Sequence, residues 1–233
     1  MKRLLLLSNS TNHGQGFLDH AMPALLEFFG DVRRIVFVPF ALRDRAAYTA
    51  KVADRLAREG IDVAGATPDQ PGVGLLETAE AVFVGGGNTF RLLQTLQRRG
   101  MIEVIRRRVL DGMPYIGSSA GTNIAAPSIK TTNDMPIVQP ESFAALNLVP
   151  FQINPHYLDA DPTSTHMGET REDRLREFLE ENDVPVLGLR EGSWLRVEDE
   201  KVLLGGSRPA RLFRRGSEPS ELPPGDLQEP WGS

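Results

Sequence analysis

Short apolar runs alternate with helical patterns along most of this 233-residue chain, and this alternation restricts the fold more than any other feature. Several of the apolar runs lack alternating polar residues, which is typical of parallel strands covered on both faces. The alternation therefore predicts an α/β fold, a three-layer αβα sandwich with a mostly parallel sheet. The predicted strands are Leu4–Leu7, Arg34–Val38, Ile61–Ala64, Ala81–Val84, Pro114–Ile116, Phe151–Ile153 and Val184–Leu189.

Helical patterns fill the segments between several of these strands. A helix is predicted from Arg45 to Arg58, ending before Gly60, and a helical stretch from Thr89 to Leu110 is interrupted at Gly100. The segment Thr170-Arg171-Glu172-Asp173 matches a capping box and predicts the start of a further helix.

The pattern changes after Leu189. Trp194–Val197 and Lys201–Leu204 predict an antiparallel hairpin that extends the sheet, and Arg211–Arg214 is a further candidate strand. Four prolines and few apolar residues after Gly216 predict a disordered tail. We therefore expect one α/β domain over residues 1–215 and a disordered tail over 216–233.

Charge and composition exclude several classes of protein. The net charge is −5, so the chain as a whole does not present the basic field that nucleic-acid or membrane binding requires. Cysteine is absent, which excludes thiol catalysis and disulfides and fits a cytoplasmic protein. The apolar run Leu4–Leu7 is too short for a secretory signal or a membrane span.

The segment Gly117-Ser118-Ser119-Ala120-Gly121 is the first candidate for chemistry. It lies between a predicted strand and a possible helix, where a Gly-x-Ser-x-Gly sequence indicates a nucleophile elbow. The two flanking glycines are symmetric about Ser119, which favours Ser119 over Ser118 as the nucleophile. Without partner residues, a simple turn that contains two serines explains the motif equally well.

Partner residues are expected at the carboxyl ends of strands, where open parallel sheets bind ligands. His156 directly follows a predicted strand and a rigid Asn-Pro pair, which makes it the candidate general base. Glu191 follows the next strand and is the first candidate for the acid that orients the imidazole; Asp134 is the second. The other histidines, His13, His20 and His166, are interpreted as structural or solvent-exposed.

An acyl-transfer site also needs hydrogen-bond donors for the oxyanion. The candidates are the amides of Ala120, next to the proposed nucleophile, and Gly87, in a glycine loop that follows another predicted strand. The same loop could be a plain turn or a phosphate-binding loop, but it lacks the spacing of the known nucleotide motifs. The chain order Ser119, His156, Glu191 differs from the serine–acid–histidine order of α/β-hydrolases.

These segments together resemble peptidase E, the α-aspartyl dipeptidase family of serine peptidases. The resemblance extends from Leu4 to Gly206. Its motifs are Gly85-Gly86-Gly87-Asn88-Thr89-Phe90, Ser119-Ala120-Gly121, Thr131-Thr132-Asn133-Asp134-Met135-Pro136, Ile153-Asn154-Pro155-His156, Gly168-Glu169-Thr170-Arg171-Glu172 and Glu191-Gly192-Ser193-Trp194.

The resemblance implies a flavodoxin-like fold related to class I glutamine amidotransferases. It also implies hydrolysis of dipeptides with an N-terminal aspartate, without a metal or other cofactor. The family's serine, histidine and glutamate fall on Ser119, His156 and Glu191. Ser118 and Thr122 differ from the larger aromatic and the alanine common in the family, so we expect a somewhat roomier site.

Arg171 is the candidate that holds the substrate's aspartate side chain, because a guanidinium can bind a carboxylate through two hydrogen bonds. Its alternative interpretation is an exposed helix arginine that pairs with Glu172 or Asp173. Asn88 is also expected to contact the substrate. We expect small peptides as the only partners and a monomer or homodimer. Two other functions stay open: a cyanophycinase-like hydrolase of β-aspartyl linkages, and a non-catalytic module that binds a small anion.

Overall fold

A computed structural model describes residues 1–66, 72–163, 165, 168–227 and 231 of the protein. Within these residues the strands are β1 (Arg3–Leu7), β2 (Arg34–Val38), β3 (Asp62–Gly65), β4 (Ala81–Val84), β5 (Tyr115–Ser118), β6 (Gln152–Pro155), β7 (Val186–Leu189), β8 (Ser193–Glu198), β9 (Lys201–Gly206), β10 (Ala210–Phe213), β11 (Ser220–Leu222) and β12 (Gly225–Leu227). The helices are α1 (Met22–Phe29), α2 (Arg45–Ala57), α3 (Gly72–Thr78), α4 (Thr89–Arg98), α5 (Met101–Leu110), α6 (Ala120–Asn123) and α7 (Arg171–Glu181). In this part of the chain, no helix is both long and apolar enough to cross a membrane.

The larger sheet has the strand order β12-β9-β8-β1-β5-β4-β2-β3. The strands from β1 to β3 in this order are parallel, and β8, β9 and β12 extend the sheet with antiparallel pairing. The predicted α/β architecture, with a hairpin that extends a parallel sheet, is therefore confirmed.

The continuous apolar run of β1 is explained by burial on both faces of the sheet. Leu4, Leu5, Leu6 and Leu7 are all fully buried. Leu4 and Leu6 pack into one hydrophobic core, and Leu5 and Leu7 pack into another on the opposite face. Successive side chains of a strand point to opposite faces, so a strand between two layers of helices needs an apolar residue at every position.

Four strands form a second sheet that the sequence did not reveal. Its order is β11-β10-β7-β6, with β6 and β7 parallel and the other pairs antiparallel. The strands predicted at Phe151–Ile153, Val184–Leu189 and Arg211–Arg214 all belong to this second sheet. Apolar content identifies a buried strand, but it does not determine which sheet the strand joins.

The prediction of a disordered tail from Gly216 onward is wrong for Ser220–Leu222 and Gly225–Leu227. The first of these strands pairs with β10 and the second with β9. The Glu221 carboxylate also accepts hydrogen bonds from Arg190 at 2.8 and 2.9 Å and from Arg211 at 3.0 Å. Pairing with β10 and β9, together with the ion pairs of Glu221, therefore orders a segment whose composition predicts disorder. Residues 228–230, 232 and 233 lie outside the described part.

Helix ends follow the capping signals of the sequence. The Thr170 side chain accepts a hydrogen bond from the Asp173 amide, and the Asp173 carboxylate accepts one from the Thr170 amide, so the predicted capping box is confirmed. The sequence patterns did not predict α3, which contains two glycines in seven residues and so has low helix propensity.

Candidate active site

Ser119 lies at a sharp turn between β5 and α6. Its backbone has φ 54° and ψ −110°, in a region that non-glycine residues rarely occupy. Its amide donates a hydrogen bond to the Leu7 carbonyl at 3.0 Å. A Cβ atom on Gly117 would lie 2.5 Å from the Gly121 carbonyl oxygen, and one on Gly121 would overlap the Val84 carbonyl. The two glycines are therefore required for the turn to form.

The two serines of the elbow have different environments. Ser118 is fully buried, and its Oγ has no hydrogen-bond partner in the described residues. The Ser119 Oγ lies 2.9 Å from the Nε2 atom of His156. Thr122 is also fully buried and donates a hydrogen bond to the Leu7 carbonyl at 2.6 Å. Neither Ser118 nor Thr122 lines the cleft at Ser119, and a roomier site stays a prediction.

His156 connects Ser119 to Glu191. Its Nδ1 atom lies 2.6 Å from Oε1 of Glu191, while Nε2 faces the serine hydroxyl. With Nδ1–H donating to the carboxylate, Nε2 is left as the acceptor that can take the serine proton. The side chains of His156 and Glu191 are 39% and 56% exposed, so this pair lies at the mouth of the site.

The backbone of His156 is held by a residue that sequence reasoning missed. His156 has φ 54°, and its amide donates to the Ser8 Oγ at 2.9 Å. Ser8 is fully buried and donates in turn to the Leu189 carbonyl at 2.7 Å. Ser8 directly follows β1, so the rule that selected His156 and Glu191 could also have selected it.

The three residues come from two sheets. Ser119 follows β5 of the larger sheet, whereas His156 and Glu191 follow β6 and β7 of the second sheet. The hydroxyl of Ser8, at the end of β1, bridges from the larger sheet to His156 and Leu189 of the second sheet.

Two backbone amides at the site have no partner among the described residues. Gly86 donates to the Tyr48 hydroxyl at 2.9 Å and Asn88 donates to the Ala41 carbonyl at 3.0 Å, but the amides of Gly87 and Ala120 make no hydrogen bond there. A Cβ on Gly86 would lie 3.0 Å from the Ser119 Cβ, so the glycine loop passes beside the serine. Free amides beside a nucleophile can stabilise an oxyanion.

Tyr48 is a further residue that the sequence did not single out. Burial raises the pKa of its hydroxyl above the ordinary value, so the phenol stays protonated at neutral pH. Its ring packs edge-on against Phe37 with centroids 4.9 Å apart. Tyr48 therefore fixes the glycine loop by holding the Gly86 amide.

The Asp134 side chain contacts Thr89, the first residue of α4, and makes no hydrogen bond to His156. Its Oδ2 accepts hydrogen bonds from the Thr89 amide at 2.7 Å, from the Thr89 hydroxyl at 2.6 Å and from the Thr132 hydroxyl at 3.3 Å. These bonds are typical of a carboxylate that caps a helix. Of the two candidate acids, Glu191 is the one that contacts the imidazole.

Arg171 is the first residue of α7 and forms no ion pair with any described residue. Glu172 pairs instead with Arg176 and Arg211, and Asp173 forms the helix cap. Burial lowers the pKa of Arg171, and Arg174 lowers it further, while the charge of Asp134 raises it. Burial leaves the guanidinium partly desolvated, which strengthens any hydrogen bond that it makes to an anion.

The Asn88 side chain is already engaged in structural contacts. Its Oδ1 caps α4 by accepting from the Arg91 amide at 3.0 Å, and its Nδ2 donates to the Met135 carbonyl at 2.9 Å. No described contact of Asn88 supports the predicted contact with substrate.

The cleft at Ser119 has a volume of about 520 Å³. Its titratable lining groups are Asp44, Lys51 and His156; Asp44 caps α2 through the Ala47 amide at 2.9 Å. His20 is half-buried in the 3₁₀ turn at Asp19–Ala21, and His166 lies outside the described residues. In the described ranges, no three His, Cys, Asp or Glu side chains are grouped so that they could hold a metal ion.

Comparisons with known proteins identify the family of this chain. The family model of Peptidase family S51 matches residues 4–205. A Streptomyces coelicolor protein named "Peptidase E" is 63% identical over 97% of this chain and 93% of its own length. A Drosophila melanogaster protein named "Probable alpha-aspartyl dipeptidase" is 51% identical over 96% of this chain and 94% of its own. A solved structure from Listeria monocytogenes is similar with a TM-score of 0.68 and 26% identity, covering 89% of this chain and 99% of that one.

Proposed function

The chain belongs to peptidase family S51, and from this we propose that it is a serine peptidase that hydrolyses dipeptides with an N-terminal aspartate. The observation that carries the proposal is the connected series Ser119 Oγ, His156 and Glu191, with contacts of 2.9 and 2.6 Å. The names of the relatives support the choice of substrate.

In the proposed reaction, the Ser119 oxygen forms a bond to the carbonyl carbon of the aspartyl residue. His156 Nε2 takes the serine proton and delivers it to the leaving amine as the peptide bond breaks. A water molecule then attacks the aspartyl ester and gives a proton to the same imidazole. His156 returns this proton to the Ser119 oxygen as the ester bond between that oxygen and the aspartyl carbon breaks, which releases free aspartate and restores the serine. Glu191 keeps the imidazole in the required tautomer and stabilises its charged form.

The unpaired amides of Gly87 and Ala120 are the proposed donors to the oxyanion. Ala120 directly follows the serine, and Gly87 lines the same cleft as Ser119. The amides on either side of Gly87, those of Gly86 and Asn88, are bound to other groups. Because these donors belong to a loop fixed by Tyr48 and to the turn at Ser119, they need little rearrangement during the reaction.

Arg171 is the proposed partner of the aspartate side chain. It lies at the start of a helix, is partly desolvated, and has no carboxylate partner in the described part of the chain. A carboxylate of the substrate would supply the negatively charged partner that Arg171 does not have among the described residues.

A substrate panel tests the proposal. The purified protein should cleave Asp-Leu and should leave Ala-Leu and a β-linked Asp-Arg dipeptide intact. Faster cleavage of the β-linked dipeptide would instead identify a cyanophycinase-like activity. An absence of turnover, together with no labelling of Ser119 by a serine-reactive phosphonate, would point to a binding protein.

Small peptides are the proposed partners, the cytoplasm is the proposed location, and a monomer or homodimer is the proposed assembly. The cysteine-free composition supports the location. Cell fractionation tests the proposed location, and light scattering of the purified protein tests the proposed assembly.

A further inference from the structure

A second cleft, with a volume of about 700 Å³, shares Leu42 with the cleft at Ser119. Its remaining lining residues are five arginines and two uncharged polar residues, and we call it the arginine cleft. Two arginines come from the loop before α2 and the first residue of α2, and the other three from α4 and the residue that follows it. The lining residues are Leu42, Arg43, Arg45, Arg91, Gln94, Thr95, Arg98 and Arg99.

Four of the five cleft arginines have no carboxylate partner among the described residues. Elsewhere in the described residues, eight arginines form ion pairs with Asp or Glu. Arg43, Arg45, Arg91 and Arg98 have no described carboxylate within 4.0 Å, and none lines the cleft. The protein carries a net charge of −5, so this local excess of positive charge opposes its overall charge. Cations grouped in this way repel one another and attract a counter-ion.

Two of the arginines are held against the same aromatic ring. The guanidinium carbons of Arg45 and Arg99 lie 4.9 and 5.7 Å from the centroid of the Phe40 ring. Burial lowers the pKa of Arg45, and the charges of Arg99 and Arg91 lower it further. Guanidinium groups that are already ordered lose less conformational entropy when they bind a ligand.

The α4 helix presents the rest of the cleft on one face. Arg91, Gln94, Thr95 and Arg98 are spaced by three and four residues, so their side chains lie along the same side of the helix. Arg91 also donates to the Ala41 carbonyl at 3.4 Å, which keeps its guanidinium beside the loop before α2.

We propose that the arginine cleft binds a small anion that carries several phosphate groups. Guanidinium groups bind phosphate oxygens through paired hydrogen bonds, and several of them around one cleft match an anion with several charges. A dipeptide brings one or two carboxylates, too few to satisfy such a cluster. This site is separate from Ser119 and does not depend on the proposed peptidase activity.

Calorimetric titration of the full chain with sodium tripolyphosphate, in about 0.15 M salt without magnesium, tests the proposal. We expect saturable binding of one tripolyphosphate per chain. A parallel titration with ATP distinguishes the sources: tighter binding of ATP indicates a nucleotide, and equal binding indicates that the phosphate chain alone is recognised.

Two double variants locate the binding. Arg43→Gln with Arg98→Gln removes two exposed cleft arginines and should weaken tripolyphosphate binding roughly 10-fold or more. Arg58→Gln with Arg106→Gln removes the same amount of positive charge outside the cleft, from the residue after α2 and from α5. This control should leave tripolyphosphate binding within about 2-fold of wild type. Thermal unfolding confirms that both variants are folded. The proposal is overturned if wild type shows no saturable binding at about 1 mM ligand, or if both double variants weaken binding equally.

Discussion

His156 Nε2 lies 2.9 Å from the Ser119 Oγ although the two residues follow strands of different sheets. Their distance therefore depends on how the second sheet packs against the larger one, and the buried Ser8 hydroxyl bridges the two at this point. Activity should be sensitive to this bridge as well as to the reacting groups.

We predict that Ser8→Ala lowers kcat about 10-fold and changes KM little, because the His156 amide loses the acceptor that fixes its backbone. It should also reduce the free energy of unfolding by about 1–3 kcal/mol, since buried polar groups lose partners. Ser193→Ala is the matched control: Ser193 is equally buried, but its Oγ donates to the Arg208 carbonyl. Kinetics and thermal unfolding of both variants test this prediction, and an equal loss of kcat in Ser193→Ala would contradict it.

Glu191→Gln should lower kcat by about 100-fold or more, because the imidazole loses the charge that orients it and stabilises its protonated form. The midpoint of thermal unfolding should change little, since the Glu191 side chain is 56% exposed. Asp134→Asn should lower the midpoint of thermal unfolding and change kcat little, because Asp134 caps α4. If Asp134→Asn reduced kcat more than Glu191→Gln at a temperature where both are folded, the assignment of the acid would be wrong.

Arg171→Met should raise KM for Asp-Leu roughly 10- to 100-fold, the effect expected when hydrogen bonds to a charged group are lost. The preference for Asp-Leu over Asn-Leu should fall by a similar factor. Arg174→Met, which removes a guanidinium one turn later that pairs with Glu169 at 3.5 Å, is the control and should keep both values near wild type. Steady-state kinetics on the two dipeptides measure these effects, and an unchanged preference in Arg171→Met would exclude Arg171 from selectivity.

Acid should destabilise the protein partly through Arg190, whose side chain is 9% exposed and pairs with Asp159 and Glu221. Hydrogen bonds from Arg190 lower the pKa of both carboxyls below their ordinary values of 3.8 and 4.5. Because the folded state binds these protons less readily than the unfolded state, their contribution to stability is complete above the ordinary values. That contribution is lost as the pH falls through the lowered ones.

The variant Asp159→Asn with Glu221→Gln should be less stable than wild type at neutral pH and should lose less stability between about pH 5 and pH 3. Glu177→Gln, an exposed carboxyl on α7 outside the described ion pairs, should follow the wild-type pH dependence. Thermal unfolding across this range checks the prediction, and an acid dependence in the double variant as steep as in wild type would contradict it.

Much of the candidate site could be predicted from the sequence because its residues follow strand ends. Ser119, His156 and Glu191 each lie within three residues of the end of a short apolar run, and runs of this kind are the clearest signal in the chain. The capping box at Thr170 could also be recognised in the sequence, because its two hydrogen bonds join residues three positions apart.

Features that depend on distant pairing could not be predicted in the same way. The second sheet, the strand at Ser220–Leu222 and the bridge at Ser8 all join residues far apart in the chain. The arginine cleft likewise forms only when α2 and α4 lie together, because its arginines are divided between these two parts of the chain. Such contacts leave no local pattern in the sequence.

The central claim, that Ser119 is the nucleophile, is tested most directly by Asp-Leu turnover in Ser119→Ala beside Ser118→Ala. Ser119→Ala should lose at least ~10³-fold in kcat, as expected when a serine nucleophile is removed. Ser118→Ala should keep near wild-type turnover and equal or greater thermal stability, because the Ser118 Oγ is buried without a partner in the described residues. Near wild-type turnover in Ser119→Ala, or a comparable loss in a folded Ser118→Ala, would contradict the account.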